Sequence, residues 1–367
     1  MINHETKDFF IGQLYLWAKQ NHRPLPWKKE ADPYLIWLSE IILQQTRVAQ
    51  GLPYYNNFKN RFPNVFALAA APEDEVLKLW QGLGYYSRAR NLHYSAQFIA
   101  REYKGRFPET YDEIRTLKGV GPYTAAAIAS FAYQLPHAVV DGNVSRVLSR
   151  FLGIDTPIDS NKGKQLFQEL ASALLDTQKP GKYNQHLMDF GATHCTPQKP
   201  KCTNCPLQNK CIAFHKQQVH KLPVKGKKLI KTNRYFHYLI LRFDQRTLIK
   251  KRTEADIWKH LYEFPLLETD QSNLSFEKIR NLNLPLNDCW KSENLTSLKQ
   301  AGPRKHQLTH QTIVAHFWEL ELKEINTNQL PEDFICINWK NLDKFAFPRI
   351  IDWYLKDNSL NLFSQLQ

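Results

Sequence analysis

The sequence predicts two domains in series, an all-α domain over residues 1–216 and an α+β domain over 234–367. Two observations predict this division. Apolar residues recur at helical spacing from about residue 5 to residue 194. Past Cys211 the composition changes. Lys221, Lys225, Lys227, Lys228 and Lys231 surround Pro223 and Gly226, so 217–233 reads as a basic linker, and β-branched and aromatic runs follow it. A length of 367 residues suits two domains. The net charge of +14 and pI near 9.4 call for a polyanionic partner, without separating nucleic acid from a membrane surface. No apolar run reaches the ~20 residues of a membrane span. Met1-Ile2-Asn3-His4-Glu5 lacks a charged-then-apolar signal pattern, so a cytoplasmic protein is expected. Four of the six cysteines lie between Cys195 and Cys211, which argues for a ligand set over a disulfide framework.

Taken in order, residues 5–20 form a helix with Phe9, Leu14, Leu16 and Trp17 as its expected core face. Arg23-Pro24-Leu25-Pro26-Trp27 breaks it. That stretch reads either as a packed loop or as a stacking and hydrogen-bonding wall for a base. Asp32 is the expected cap of the next helix, with Pro33 at its first position and a body running from Tyr34 to Thr46. Glu40 stands out, because its helix-face neighbours are Ile36, Trp37 and Leu43. A carboxyl there is either paired with a cation or raised in pKa and suited to general-acid work. Periodicity leaves both open.

Helical patterns continue over 54–60, 65–70 and 73–80. Gly82-Leu83-Gly84 ends the last, and Tyr85-Tyr86-Ser87-Arg88-Ala89-Arg90 opens a helix to about Tyr103. The tyrosines read as buried helix-start residues, or as wedges into a base stack with the arginines on phosphates. After a short helix over 111–116 comes Leu117-Lys118-Gly119-Val120-Gly121-Pro122-Tyr123. Gly119 and Gly121 allow a tight turn, and Pro122 starts a helix to Tyr133. Such a turn aims unpaired N–H groups at one point, which suits a phosphate; an ordinary helix connection is the competing reading. Asp141 precedes Val144, Val147, Leu148 and Phe151 and reads first as an N-cap.

Helices over 162–176 and 183–194 lead to Cys195-x6-Cys202-x2-Cys205-x5-Cys211. Four thiolates so close can wrap tetrahedral zinc or an iron–sulfur cube. Zinc sites pair their ligands as two short knuckles, and here only the middle pair is close, so the spacing favours the larger cluster. In the second domain, 235–241 and 247–252 read as two strands of a hairpin, with further strands at 312–322 and 334–338.

Together these features resemble the helix-hairpin-helix DNA glycosylases of the endonuclease III superfamily, and within it the MutY-type adenine DNA glycosylases. The resemblance rests on Trp37-Leu38-Ser39-Glu40 with Leu43-Gln44-Gln45-Thr46, on Gly82-Leu83-Gly84-Tyr85-Tyr86, on Asp141-Gly142-Asn143-Val144, on the hairpin and on the cysteine loop. It is dense from about residue 10 to 215. It implies a six-helix barrel part over 26–132 with the hairpin at 117–123. It also implies a cluster-bearing part over 1–25 and 133–216, in which Cys195, Cys202, Cys205 and Cys211 hold a [4Fe–4S] cluster.

The same resemblance implies that Glu40 protonates N7 of adenine and that Asp141 steadies positive charge at C1′, with Asn143 and Tyr123 assisting around the sugar. Arg23, Leu25, Trp27 and Gln185 match the adenine pocket, Gln185 standing where some relatives place a Glu. Gln44, Gln45, Thr46, Tyr85, Tyr86, Arg88, Leu117, Lys118, Gly119, Val120 and Gly121 match DNA contacts. Among these, Gln45 and Tyr85 intrude beside 8-oxoguanine. Bifunctional relatives carry a Lys where this chain has Tyr123, and a phenol forms no imine, so a monofunctional enzyme is expected.

The second domain resembles the Nudix-like module of the same enzymes, from Trp258-x2-Leu261-Tyr262-x-Phe264-Pro265 to Phe347-Pro348-Arg349. A working Nudix hydrolase needs clustered glutamates, whereas this stretch offers Glu277 beside Lys278 and Arg280. The lesion-reading loop, usually Phe-Ser-His, is Leu308-Thr309-His310 here, which keeps a hydroxyl and removes an aromatic. Lys259-His260 replaces a commonly glycine-bearing turn. The implied partner is double-stranded DNA with an A:8-oxoguanine or A:G mismatch, bound by a nucleoid-associated monomer. Two alternatives stand beside this reading. One is an endonuclease III-like glycosylase/lyase for oxidised pyrimidines, which Tyr123 and the C-terminal domain disfavour. The other is a non-catalytic iron–sulfur redox sensor on DNA, which the joint presence of Glu40 and Asp141 disfavours.

Overall fold

The computed structural model describes residues 2–226, 231–272, 274–280, 286, 294–326 and 330–362. Lys227 and Lys228 of the expected linker and the last five residues of the expected C-terminal domain lie outside the described residues. The chain forms two compact units, Met1–Ala71 with Asn91–Lys228, and Pro72–Arg90 with Leu229–Gln367. Residues 72–90, which the sequence reading left in the helical domain, therefore cluster with the C-terminal sheets. No helix among the described residues is long and apolar enough to cross a membrane.

The first unit is all-α. It contains α1 (His4–Gln20), α2 (Pro33–Leu43), α3 (Val48–Arg61) and α4 (Val65–Ala70). α5 (Glu73–Leu79) belongs to the second unit, and α6 (Ser87–Glu102) enters the first from Asn91 onward. There follow α7 (Tyr111–Thr116), α8 (Pro122–Tyr133), α9 (Gly142–Leu152), α10 (Asn161–Leu174), α11 (Pro180–Thr193) and α12 (Ile212–His215). The caps are local and legible: Asn3 accepts from Thr6 N, Asp32 from Tyr34 N and Ser160 from Gly163 N, and Thr110 with Glu113 closes a capping box.

One core joins α1, α9, α10 and α11 through Phe10, Leu14, Trp17, Val147, Phe151, Phe167, Leu187 and Phe190. The buried face of α1 is Phe10, Leu14 and Trp17. Leu16 is 53% exposed and Phe9 is half-buried, a correction to the expected face. Steps of four and three keep residues 10, 14 and 17 on one stripe, and Leu16 lies off it. α2 is apolar nearly all round and buries everything from Tyr34 to Ile42, which marks a core helix rather than a surface one.

The second unit holds two sheets. One is ordered β4-β1-β6-β5, from β1 (Thr232–Arg242), β4 (Leu266–Thr269), β5 (Leu295–Gln307) and β6 (Gln311–Leu322). The other is β3-β2-β7, from β2 (Arg246–Lys251), β3 (Tyr262–Glu263) and β7 (Phe334–Asn338). β1 runs parallel to β6 with Tyr238 opposite Phe317, and the remaining pairs are antiparallel. Beside α5 and the start of α6, the described residues of this unit also form the helices α13 (Phe276–Arg280) and α14 (Arg349–Leu362).

The expected hairpin of β1 and β2 is reduced to a single bridge, Phe243 with Arg246, around Asp244 and Gln245 at φ 42 and 57. That left-handed pair is the geometry of a two-residue turn. Beyond it the strands separate into different sheets, because β1 is taken by β4 and β6 while β2 is taken by β3 and β7. β5 went unread in the sequence because it is an edge strand, largely exposed and polar, with a register shift between Ala301 and Arg304.

A charged network sits within this unit. Arg252 donates to Glu263 at 2.5 Å and to Asp256 at 2.9 Å, and Arg234 bridges Asp256 at 2.7 Å and Glu268 at 2.6 Å. Glu263 and Arg252 are nearly excluded from water, with side chains 4% and 9% exposed. Replacing Arg252 by Met leaves Glu263 as an uncompensated buried charge, and we expect a loss of about 3–5 kcal/mol. A lower urea midpoint for this unit, largely restored by adding Glu263→Gln, is the expected result.

Candidate active site and cysteine loop

Asp141 caps α9 and is held through both of its oxygens. Oδ1 accepts from Asn143 N at 2.8 Å and Val144 N at 2.7 Å, and Oδ2 accepts from the Asn143 amide at 2.7 Å. Burial pushes its pKa up, and these bonds together with Arg146 oppose that rise. Arg146 then secures Asn143: Nη2 donates to Asn143 Oδ1 at 2.9 Å and to Gly191 O at 2.7 Å, while Nε reaches Cys195 O at 2.8 Å. α11 comes close at this point, since a Cβ on Gly191 would stand 2.7 Å from Asn143 Cβ.

Glu40, on α2, is buried, and burial pushes its carboxyl up to about 7. The Tyr123 hydroxyl donates to it and lowers it, while the Asp141 charge raises it further. Tyr123, at the start of α8, is pushed well above a free phenol by burial and by the two carboxylates, so it stays a donor. Its hydroxyl also lies 3.8 Å from Met188 Sδ.

Glu40 forms part of the wall of a cavity of about 330 Å³ that Arg23, Trp27 and Gln185 also line. Leu25 does not line it; its carbonyl accepts from Lys28 N at 3.1 Å and shapes the turn beneath. Sequence reasoning missed the group that organises this wall. Asp189, 4% exposed on α11, pairs with Lys28, with Arg23 at 3.5 Å and with the Gln185 amide at 3.3 Å. Lys28 also donates to Arg23 O at 2.8 Å. The available signal was the four-residue step from Gln185 to Asp189, which puts both on one helix face.

The hairpin narrows one expectation. Gly119 has φ +85, and a Cβ there would meet Asn91 Cβ at 2.9 Å. Gly121 is extended, at φ −89 and ψ 179, with open space around it, so its conformation needs no glycine. Leu117 and Val120 are buried, whereas Lys118 is exposed with its ammonium 4.5 Å from the Tyr94 ring centre. The Gln44 amide donates to Thr124 Oγ1 at 2.9 Å, tying the end of α2 to the hairpin helix, and Thr46 Oγ1 donates to Gln44 O at 3.2 Å. Gln45 sits at φ +53, a left-handed conformation rare for a residue with a side chain.

In the second unit Tyr85 shares that conformation at φ +49, and the residue is 49% exposed. Its hydroxyl lies 2.9 Å from Thr309 Oγ1 in the loop Leu308-Thr309-His310, so two residues far apart in sequence meet. Tyr86 and Arg88, both matched to DNA contacts in the sequence, are buried. The Tyr86 hydroxyl accepts from Gly82 N at 3.1 Å and donates to Phe347 O at 3.4 Å. Arg88 donates to Gly84 O at 3.2 Å and stacks 5.0 Å over Trp80. They brace the turn that presents Tyr85.

Cys195, Cys202, Cys205 and Cys211 line one small cavity with Arg150, His194 and Lys201. Burial and each other's charge push the thiols of Cys202, Cys205 and Cys211 up, a sign of how closely the four converge. Leu207 N–H points at Cys205, Ala213 and Phe214 N–H at Cys211, and Arg150 Nη1 at Cys195 Sγ at 3.4 Å. Arg150 further holds the loop through Thr196 O at 2.7 Å and Leu222 O at 2.9 Å. Among the described residues no group of three or more His, Cys, Asp or Glu stands ready to hold a single metal ion. Four thiols converging on one cavity, three of them with N–H or guanidinium donors aimed at the sulfur, are a chemical fit for an iron–sulfur cluster.

Glu40 also makes stability depend on pH. The folded protein keeps its proton up to about pH 7, whereas an ordinary glutamate releases it near 4.5. Stability is therefore full below that window and falls as pH rises through it, by roughly 3 kcal/mol in all. Glu40→Gln carries no charge and should melt several degrees above the parent at about pH 8, the two converging at about pH 4. Thermal melts across that range check this.

Residues 38–173 match the family model described as HhH-GPD superfamily base excision DNA repair protein, and 237–357 match the NUDIX domain. The adenine DNA glycosylase of Buchnera aphidicola subsp. Acyrthosiphon pisum is 34% identical over 362 residues, spanning 98% of this chain and 100% of that protein. That of Homo sapiens is 41% identical over 226 residues, 59% of this chain and 41% of that protein. A solved thermostable thymine-DNA glycosylase superposes with a TM-score of 0.54 at 30% identity, covering 58% of this chain and 98% of that one. The chain belongs to the adenine DNA glycosylase family, with a helix-hairpin-helix core followed by a Nudix-like domain.

Proposed function

We propose that this protein is a monofunctional repair glycosylase that hydrolyses the N-glycosidic bond of adenine mispaired with 8-oxoguanine or guanine. The observation that carries the reading is Glu40 in the cavity wall, a carboxyl raised to about 7, bonded to Tyr123 and sensing the charge of Asp141. Two carboxyls in different environments, one holding a proton and one ionised, are what glycoside cleavage requires.

Adenine flipped from the duplex enters the cavity. Glu40 gives its proton to N7, and the electrons of the C1′–N9 bond leave with the base. Positive charge develops at C1′, where Asp141, its oxygens fixed by Asn143 and Val144, stabilises it. Water adds to C1′ and its proton returns to Glu40, leaving an abasic site and free adenine. Arg23, Gln185 and Trp27, held around Asp189 and Lys28, orient the base. Tyr123 supplies no amine, so no imine forms and the strand stays intact.

Gln45, Tyr85, Leu308, Thr309 and His310 are assigned to the oxidised guanine, and Gln44, Thr46 and the 117–121 hairpin to the DNA backbone. Cys195, Cys202, Cys205 and Cys211 would hold a [4Fe–4S] cluster, which supplies a covalent cross-link of the loop and a one-electron redox centre when bound.

Single-turnover cleavage of a duplex with adenine opposite 8-oxoguanine tests this, run with and without alkali. A product band only after alkali is expected. A band without alkali overturns the monofunctional assignment, and no band in either lane overturns the activity. Glu40→Gln should lose turnover on the order of 10²–10⁴-fold with duplex affinity unchanged. In the parent, the rate should fall as pH rises through about 7, where Glu40 loses its proton.

A further inference from the structure

His194 follows α11 and directly precedes Cys195. Its ring stacks on Phe190 at 4.9 Å and 19° and meets the edge of Trp17 at 6.0 Å and 77°, so it is clamped on two sides. It is 7% exposed and forms part of the wall of the cavity that all four cysteines line. Its Nε2 is buried without a hydrogen-bond partner in the protein. Among the described residues it is the one side chain with such an orphaned atom in that wall. A buried polar nitrogen without a partner is unfavourable, and a specific orphan points to a group the protein alone does not contain.

We infer that His194 donates a hydrogen bond from Nε2 to a sulfur of the iron–sulfur cluster and thereby sets its reduction potential. The inference rests on the reading of the four cysteines as ligands of a [4Fe–4S] cluster. The Lys201 backbone carbonyl also draws on the ring but makes no hydrogen bond with Nε2, so in the Nε2–H tautomer that proton is left for a sulfide or thiolate sulfur lining the same cavity. Arg150 and the N–H groups of Leu207, Ala213 and Phe214 already serve Cys195, Cys205 and Cys211 in the same way. A donor to cluster sulfur stabilises the electron-richer state, so it raises the potential. His194 touches neither the cavity with Glu40 nor Asp141 in any bond described above; its role is to position a proton toward sulfur.

The test uses the full-length protein with its cluster. Iron and acid-labile sulfide are counted first, and the absence of both refutes the cluster reading itself. With the cluster present and reduced by one electron to a paramagnetic state, electron–nuclear double resonance on protein labelled with ¹⁵N-histidine reads the bond directly. We expect a weak ¹⁵N coupling together with a proton coupling lost in D2O. His194→Val should abolish both and move the potential, read by voltammetry, to a lower value; His194→Gln, which keeps an N–H donor, should restore part of the shift. An unchanged potential and spectrum in His194→Val with iron retained overturns the proposal. So does a strong ¹⁵N coupling, which would mean direct ligation to iron. If His194→Val loses its cluster, the parent spectrum alone decides, its exchangeable proton supporting the bond and the lack of one refuting it.

Discussion

Asp141 accepts from two backbone N–H groups and one amide at the start of α9, and much of the first unit follows from that cap. A helix cap is a rigid way to hold a carboxylate in one orientation. The same helix carries Arg146 and Arg150 along one side. Arg146 joins Asn143 to the Cys195 carbonyl, and Arg150 holds Cys195 Sγ, Thr196 and Leu222. A single helix thus links the carboxylate to the cysteine loop through buried, charge-assisted hydrogen bonds.

The environments of the two carboxyls differ. Glu40 lies on a helix with no polar side and receives one hydroxyl, so burial dominates and the proton stays. Asp141 is also buried, but backbone N–H groups and a guanidinium oppose that burial. Their mutual repulsion pushes in the same direction, since ionising one disfavours ionising the other. The cavity wall beside them depends on a third carboxylate. Asp189 is not near either one by any described bond, yet without it Lys28, Arg23 and Gln185 would have no common anchor.

The second unit uses paired charges for architecture. Asp256, Glu263 and Glu268 are engaged by Arg234 and Arg252. Tyr85 is held by another set of contacts: the strained turn at 82–85, the buried Tyr86 and Arg88 beneath it, and Thr309 at its hydroxyl. A non-glycine residue at positive φ persists only where its surroundings over-determine it.

The sequence by itself determined the helical core, most helix boundaries, the caps at Asp32 and Asp141, the grouping of four cysteines and the change to strands past the linker. Those are local properties: periodicity, capping chemistry and spacing act within a few residues of the chain. It left Glu40 undecided between an ion pair and a raised pKa, because the answer depends on Tyr123 and Asp141, some eighty and a hundred residues away. It left the tyrosines open between burial and contact with a base stack, and Tyr86 and Arg88 are buried against Phe347 and Trp80; it also read β1 and β2 as a full hairpin although each is claimed by other strands. Only the tertiary structure decided that Asp189 anchors the cavity, that Tyr85 meets Thr309 and that His194 faces the cysteines with an unanswered nitrogen. The physical reason is common to all of these: burial and pairing between distant segments set charge, access and orientation, and no local pattern encodes them.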